Sequence, residues 1–143
     1  MTQRVIETLS EVECFELIKR KEIGRFIFQD PDGPAAVPVN YGVAGHDIVF
    51  RTASGSHLRD VLRDPVAFEI DHTEPETGTG WSVLIRGAGQ EIDVARVPEI
   101  LRLTGKAFPH PWGEGVHNVW ISIAPRKVTG RRLWAPYVAA IFF

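Results

Sequence analysis

From residue 24 to residue 52 the chain alternates short runs of β-forming residues with dense turn signals, a rhythm that fits an antiparallel meander. Residues 24–29 read as one strand, Asp30-Pro31-Asp32-Gly33-Pro34 as a turn, and residues 35–41 as the next strand. In that second strand Val37, Val39 and Tyr41 fall on one face. Ala44-Gly45-His46-Asp47 then turns the chain into Ile48-Val49-Phe50-Arg51-Thr52. Further on, residues 66–71 alternate as a strand, and residues 72–80 form an acidic, Gly- and Thr-rich stretch expected to be a loop. The run Trp81-Ser82-Val83-Leu84-Ile85-Arg86-Gly87 is apolar on both faces at its start, the mark of a strand covered on both sides. It continues through Gln90 to Val94, with a bend expected at Gly87 or Gly89. Residues 119–123 and 127–134 end the series as one strand or a strand pair.

Helices are few. Ser10-Glu11-Val12-Glu13 is a capping box, and Leu9, Cys14, Leu17 and Ile18 recur at helical spacing, so residues 11–20 are predicted helical. Residues 56–63 read as a short helix stopped by Pro65, and residues 97–108 as another, followed by an irregular Pro/Gly/Trp loop. About six strands without a β-α-β rhythm favour a mainly β fold, a closed antiparallel barrel with peripheral helices. Residues 1–143 are expected to form a single domain, ending in an apolar tail at 135–143.

Composition narrows the function. A net charge of −2 argues against general affinity for nucleic acid. A single cysteine excludes an internal disulfide and offers no Cys pair for structural zinc. The five histidines form no ligand-spaced pair, so no metal site is expected. The first nine residues are polar and charged, unlike a signal peptide, and no apolar run approaches the ~20 residues of a membrane span. A cytoplasmic location, with no membrane or nucleic-acid partner, is the expectation. Hydrolase elbows, Walker loops and dinucleotide fingerprints are lacking.

The most informative stretch for chemistry is Phe50-Arg51-Thr52-Ala53-Ser54-Gly55-Ser56-His57-Leu58. It ends a strand on a guanidinium and a hydroxyl, turns through small residues and opens a helix at a serine. Arginine matches phosphate oxygens two at a time, and a helix start offers unpaired N–H donors. The reading is a phosphate anchor. Tyr41 and Trp81 are read either as walls for a flat ring or as plain core residues.

Pro38-Val39-Asn40-Tyr41, the stretch at 50–58, Gly80-Trp81-Ser82-Val83-Leu84-Ile85-Arg86-Gly87 and Val128-Thr129-Gly130-Arg131-Arg132 occur in an order and spacing that resembles the pyridoxamine 5′-phosphate oxidase-like split-barrel flavoproteins. The resemblance is greatest to the branch of small flavin or deazaflavin binders. It implies a six-stranded antiparallel split barrel that forms a homodimer, with FMN in grooves between the subunits and a small-molecule substrate over the flavin. Carried over, Asn40 and Tyr41 line the flavin, and Arg51, Thr52, Ser56 and His57 hold its phosphate. Trp81 and Ser82 lie along the ring edge, and Arg132 approaches from the last strand, with Arg131 as its competitor. No side chain is assigned as a catalytic acid or base. Val83, Leu84, Ile85, Ile141, Phe142 and Phe143 are the interface candidates.

One departure stands out. His57 occupies a position that is usually basic in the family, which implies a weaker and pH-dependent hold on phosphate. The expected function is an FMN-dependent oxidoreductase. The alternatives are a deazaflavin-dependent reductase in the same groove and a non-catalytic flavin or haem binder. The chain has Gly130-Arg131-Arg132-Leu133-Trp134 in place of the Arg-Leu-His-Asp-Arg ending of pyridoxamine phosphate oxidase itself.

Overall fold

The computed structural model describes residues 5–52, 58–108 and 119–134. In chain order these form β1 (Val5–Leu9), α1 (Glu11–Ile18), β2 (Ile23–Asp30), β3 (Gly33–Ala44), β4 (Asp47–Thr52) and α2 (Leu58–Arg63). They continue with β5 (Val66–Glu74), β6 (Thr79–Glu91), a 3-10 turn (Val94–Arg96), α3 (Val97–Thr104) and β7 (Val119–Trp134). The strands lie in the order β1-β7-β4-β3-β2-β5-β6, and β6 returns to pair with β7. Six strands thus close an antiparallel barrel, and closure leaves those strands without an open edge.

β7 organises the rest. Its first residues pair with β4, from Val119 opposite Thr52 to Ile123 opposite Ile48. Its last residues pair with β1, from Gly130 opposite Leu9 to Trp134 opposite Val5. Along almost its whole length it pairs with β6, with a register shift between Arg86 and Gly87, where the sequence places a bend.

Strand alternation decides what lies inside. Tyr41, Phe50, Phe68, Ile70, Val83, Ile85, Ile121 and Ile123 point inward and are fully buried. Burying each such side chain contributes roughly 1.5–3 kcal/mol. α1 begins at the expected capping box, in which Ser10 and Glu13 exchange hydrogen bonds, and it buries Cys14, Phe15, Leu17 and Ile18. Burial pushes the Cys14 thiol up from its ordinary pKa, with Glu13 and Glu11 adding to the effect. That suits a packing role rather than a reactive one.

Several boundaries differ from expectation. β1 was not foreseen, because its only support is the distant end of β7. The stretch at 72–80 is a hairpin between β5 and β6 rather than a long loop, with a turn between Glu74 and Thr79. α3 stops at Thr104 because Gly105 adopts a left-handed φ of 64°. β7 is one continuous strand. Val83 and Ile85 belong to the barrel interior and so cannot form a subunit interface; Leu84 is the one of the three on the outer face. Residues 141–143 of the interface expectation lie outside the described residues.

Candidate functional site

The phosphate-anchor residues sit where β4 ends. Phe50 points into the barrel, so Arg51 points out, where it pairs with Trp120 of β7 while Thr52 pairs with Val119. The Arg51 guanidinium lies 5.5 Å from the centroid of the Trp120 ring. Phe108 meets the same ring edge-on, with centroids 5.0 Å apart. This close packing depends on Gly42 of β3: a Cβ there would come 2.9 Å from Thr104 and 3.0 Å from Phe108. Glycine lets α3 and the segment after it lie flat on the barrel wall.

Asn40 lines a cavity of about 310 Å³ with Glu22, Tyr41, Lys106, Ala107 and Phe108. The side chain of Tyr41 is committed to the core. Its hydroxyl donates to the Ile18 carbonyl, its ring packs edge-on against Phe68, and it is 1% exposed. Burial pushes its phenol pKa well above the ordinary range. Lys106 lies over the Tyr41 ring, its ammonium 5.0 Å from the centroid, and donates to the Lys21 carbonyl at 2.6 Å. Burial holds the Lys106 pKa below its usual range, and the charge of Glu22 opposes that shift.

The remaining expected residues meet elsewhere. Trp81 pairs with Arg132 and Ser82 with Arg131 across β6 and β7. All four line a cleft of about 490 Å³, whose other walls include Ile6, Leu133, Pro75, Asp71 and Glu74. Arg132 lies over the Trp134 ring at 4.9 Å, and the Trp134 indole donates to Glu7. His72 stands behind Trp81, with Nε2 2.6 Å from the Glu74 carboxylate and Nδ1 3.2 Å from the Lys21 ammonium. An ammonium can only donate, so in the contact with Lys21 Nδ1 is the acceptor, and Nε2–H donates to Glu74. A second cavity, of about 460 Å³, shares Ile6, Ser82 and Arg131 with the cleft and reaches Glu69. There one Arg25 nitrogen holds both Glu69, at 3.1 Å, and Asp71, at 3.2 Å. Burial, together with the nearby Asp71 carboxyl, pushes the Glu69 pKa up to about 7 against the pull of Arg25.

Arg51 and Thr52 therefore lie at one end of β7, and Trp81, Ser82 and Arg132 at the other. Trp120 and Arg132 are roughly 35–40 Å apart along the strand at the usual rise of about 3.3 Å per residue. Within one chain, the residues expected to share a groove do not meet.

The profile of the pyridoxamine 5′-phosphate oxidase family matches residues 10–132. The chain belongs to that family. A Mycobacterium tuberculosis protein, Rv0080, is 30% identical over 139 residues, covering 92% of this chain and 88% of its own. Among solved structures, the FAD binding protein of Mycobacterium smegmatis is 27% identical with a TM-score of 0.65, over 90% of this chain and 98% of that one. A FAD-binding protein of Mesorhizobium loti has the same fold at 20% identity and a TM-score of 0.71, over 92% of this chain and 99% of that one.

Both Arg132 and its competitor Arg131 line the cleft. Ser56, His57 and residues 109–118 lie outside the described residues. Sequence reasoning missed Trp120, Phe108 and Lys106. Trp120 was legible in principle, since it is a strand aromatic flanked by inward-facing isoleucine. Lys106 was not, because its place depends on where α3 ends. Among the described residues no group of three potential metal ligands occurs, and no helix is long and apolar enough to cross a membrane.

Proposed function

We propose that this protein is a flavin-binding oxidoreductase that holds FMN, or the FMN half of FAD, in a groove completed by a second copy of the chain. Membership of the family supports the reading, as do the names of two similar structures, both FAD-binding proteins. The observation that carries it is the separation of two complementary half-sites. The Arg51 end offers a guanidinium, the Thr52 hydroxyl, the Asn40 amide and the Trp120 ring. The Trp81 end offers an apolar cleft with two further guanidinium groups. The first is closely packed and the second is a broad apolar cleft, and an antiparallel pair of chains brings one end of each onto the other.

The residues fit the group. A phosphate takes charged donors such as Arg51, and a flat ring takes aromatic and aliphatic walls with a few orienting polar groups. Bound flavin supplies hydride or electron transfer. The chain's own part is to grip the phosphate, set the ring's orientation and keep water from its buried face. The fold needs no serine or cysteine nucleophile for this work.

The purified protein is titrated with FMN, FAD, the deazaflavin coenzyme and haem, followed by flavin fluorescence and absorption. Saturable binding of a flavin nucleotide, and its reduction by NADH or NADPH, is the expected result. Binding without reduction reassigns the protein as a flavin carrier, preference for the deazaflavin coenzyme moves it to that class, and no binding of any flavin overturns the proposal.

A further inference from the structure

Lys106 is half-buried, and its surroundings neutralise it only in part. The Lys21 carbonyl accepts one hydrogen bond at 2.6 Å, and the Tyr41 ring face lies 5.0 Å away. Both are dipolar partners, weaker than an anion in a partly desolvated place. Burial lowers the Lys106 pKa, and the charge of Glu22 opposes that shift. Glu22, which lines the same cavity, is exposed, so water screens its charge.

The position of this ammonium is fixed from several directions. α3 ends at Gly105, whose left-handed conformation turns the next residue back onto the barrel. Thr104 accepts from the Lys106 backbone N–H at 3.3 Å, holding that turn. Tyr41 is itself locked by its hydroxyl bond to Ile18 and provides a rigid floor under the lysine. Two residues on, Phe108 packs against Trp120, the ring over which Arg51 lies. Lys106, Asn40 and Arg51 therefore belong to one wall at one end of the barrel, joined by the Phe108–Trp120 contact.

We infer that Lys106 is a second cationic anchor for a phosphate-bearing ligand, gripping with Asn40 the anion that Arg51 binds from β4. The inference rests on the flavin reading for the ligand's identity, although the anchor itself needs only a phosphate group. It supplies from α3's end the cation that the sequence lacks at position 57, where the family usually has a basic residue. Tyr41 then acts as a positioning residue for Lys106 and has no direct contact with the ligand.

The test compares ligands with and without phosphate. Wild-type protein and the Lys106→Met and Lys106→Arg variants are titrated with FMN, FAD and riboflavin by fluorescence. Lys106→Met is expected to weaken FMN and FAD roughly tenfold, the size of one charge-assisted contact, and to leave riboflavin within about twofold. Lys106→Arg keeps most of the FMN affinity. Equal weakening of FMN and riboflavin, or no weakening of either, overturns the inference. A second measurement is independent of flavin: the Lys106 side-chain NMR signals of wild-type protein are followed as inorganic phosphate is added. A saturable shift supports the anchor even if no flavin binds, and unmoved signals overturn it even if Lys106→Met fails to fold.

Discussion

The two ends of β7 are built from the same strand yet solve opposite problems. At its start Trp120 is sandwiched between the Arg51 guanidinium and Phe108, under a helix, so the polar groups there are few and fixed. At its end the strand runs out beside β1 and the β5–β6 hairpin, and Trp81, Ser82, Arg131 and Arg132 border an open cleft. One end suits a small, highly charged group held by direct contacts. The other suits a broad, flat one held by area. The difference teaches that one long strand in a closed barrel can carry two chemically unlike surfaces that do not meet within a single chain.

The largest expected effect breaks this comparison outright. Arg51→Met should weaken FMN by about 2 kcal/mol, or roughly thirtyfold, with little change for riboflavin, whereas Trp81→Ala should weaken both alike by about 1 kcal/mol. If two copies complete each groove, mixing the two variants creates heterodimers with one intact site and one doubly damaged site. After random exchange of equal amounts, half the dimers are mixed, so recovery of wild-type affinity at about one quarter of the sites, read by fluorescence titration, is the expected outcome. Mixtures no better than their parents mean that the ends do not join.

Gly42→Ala tests whether the Trp120 end needs its close-packed cover. The added methyl collides with Thr104 and Phe108, and the expected cost is about 1–3 kcal/mol, seen as a lower Tm. Weaker FMN binding should accompany it. An unchanged Tm would show that α3 moves aside freely.

The smallest effect concerns the Trp81 end, through Glu69. Its carboxyl holds a proton more tightly folded, with a pKa of about 7, than unfolded, where it takes the ordinary carboxylate value near 4.5. The folded state therefore binds more protons in that window, and stability falls as pH rises from roughly 4.5 to 7. After allowance for solvent screening the loss should be about 1 kcal/mol. Glu69→Gln should flatten that slope in urea melts taken across the pH range, and a slope unchanged in the variant would place the titration elsewhere.

Much of the barrel was legible because strand periodicity and turn chemistry are local. The Asp30-Pro31-Asp32-Gly33-Pro34 turn, the capping box at Ser10 and the bend at Gly87 each announce themselves within a few residues. β1 was not, since a five-residue edge strand earns its conformation only from a partner more than a hundred residues away. The site followed the same rule. The end of β4 was legible from its own residues, and the structure sets Arg51 and Thr52 opposite Trp120 and Val119 there, whereas the bond from the Tyr41 hydroxyl to the Ile18 carbonyl depends on how α1 packs on the barrel.

The amino-acid pattern alone determined the fold class, the family and the side chains able to bind an anion or a ring, because hydrophobic alternation and motif spacing are written along the chain. Only the tertiary structure decided which of those side chains share a surface. Closing the barrel fixes the strand registers, and those registers set Arg51 beside Trp120 and Trp81 beside Arg132, at opposite ends of β7.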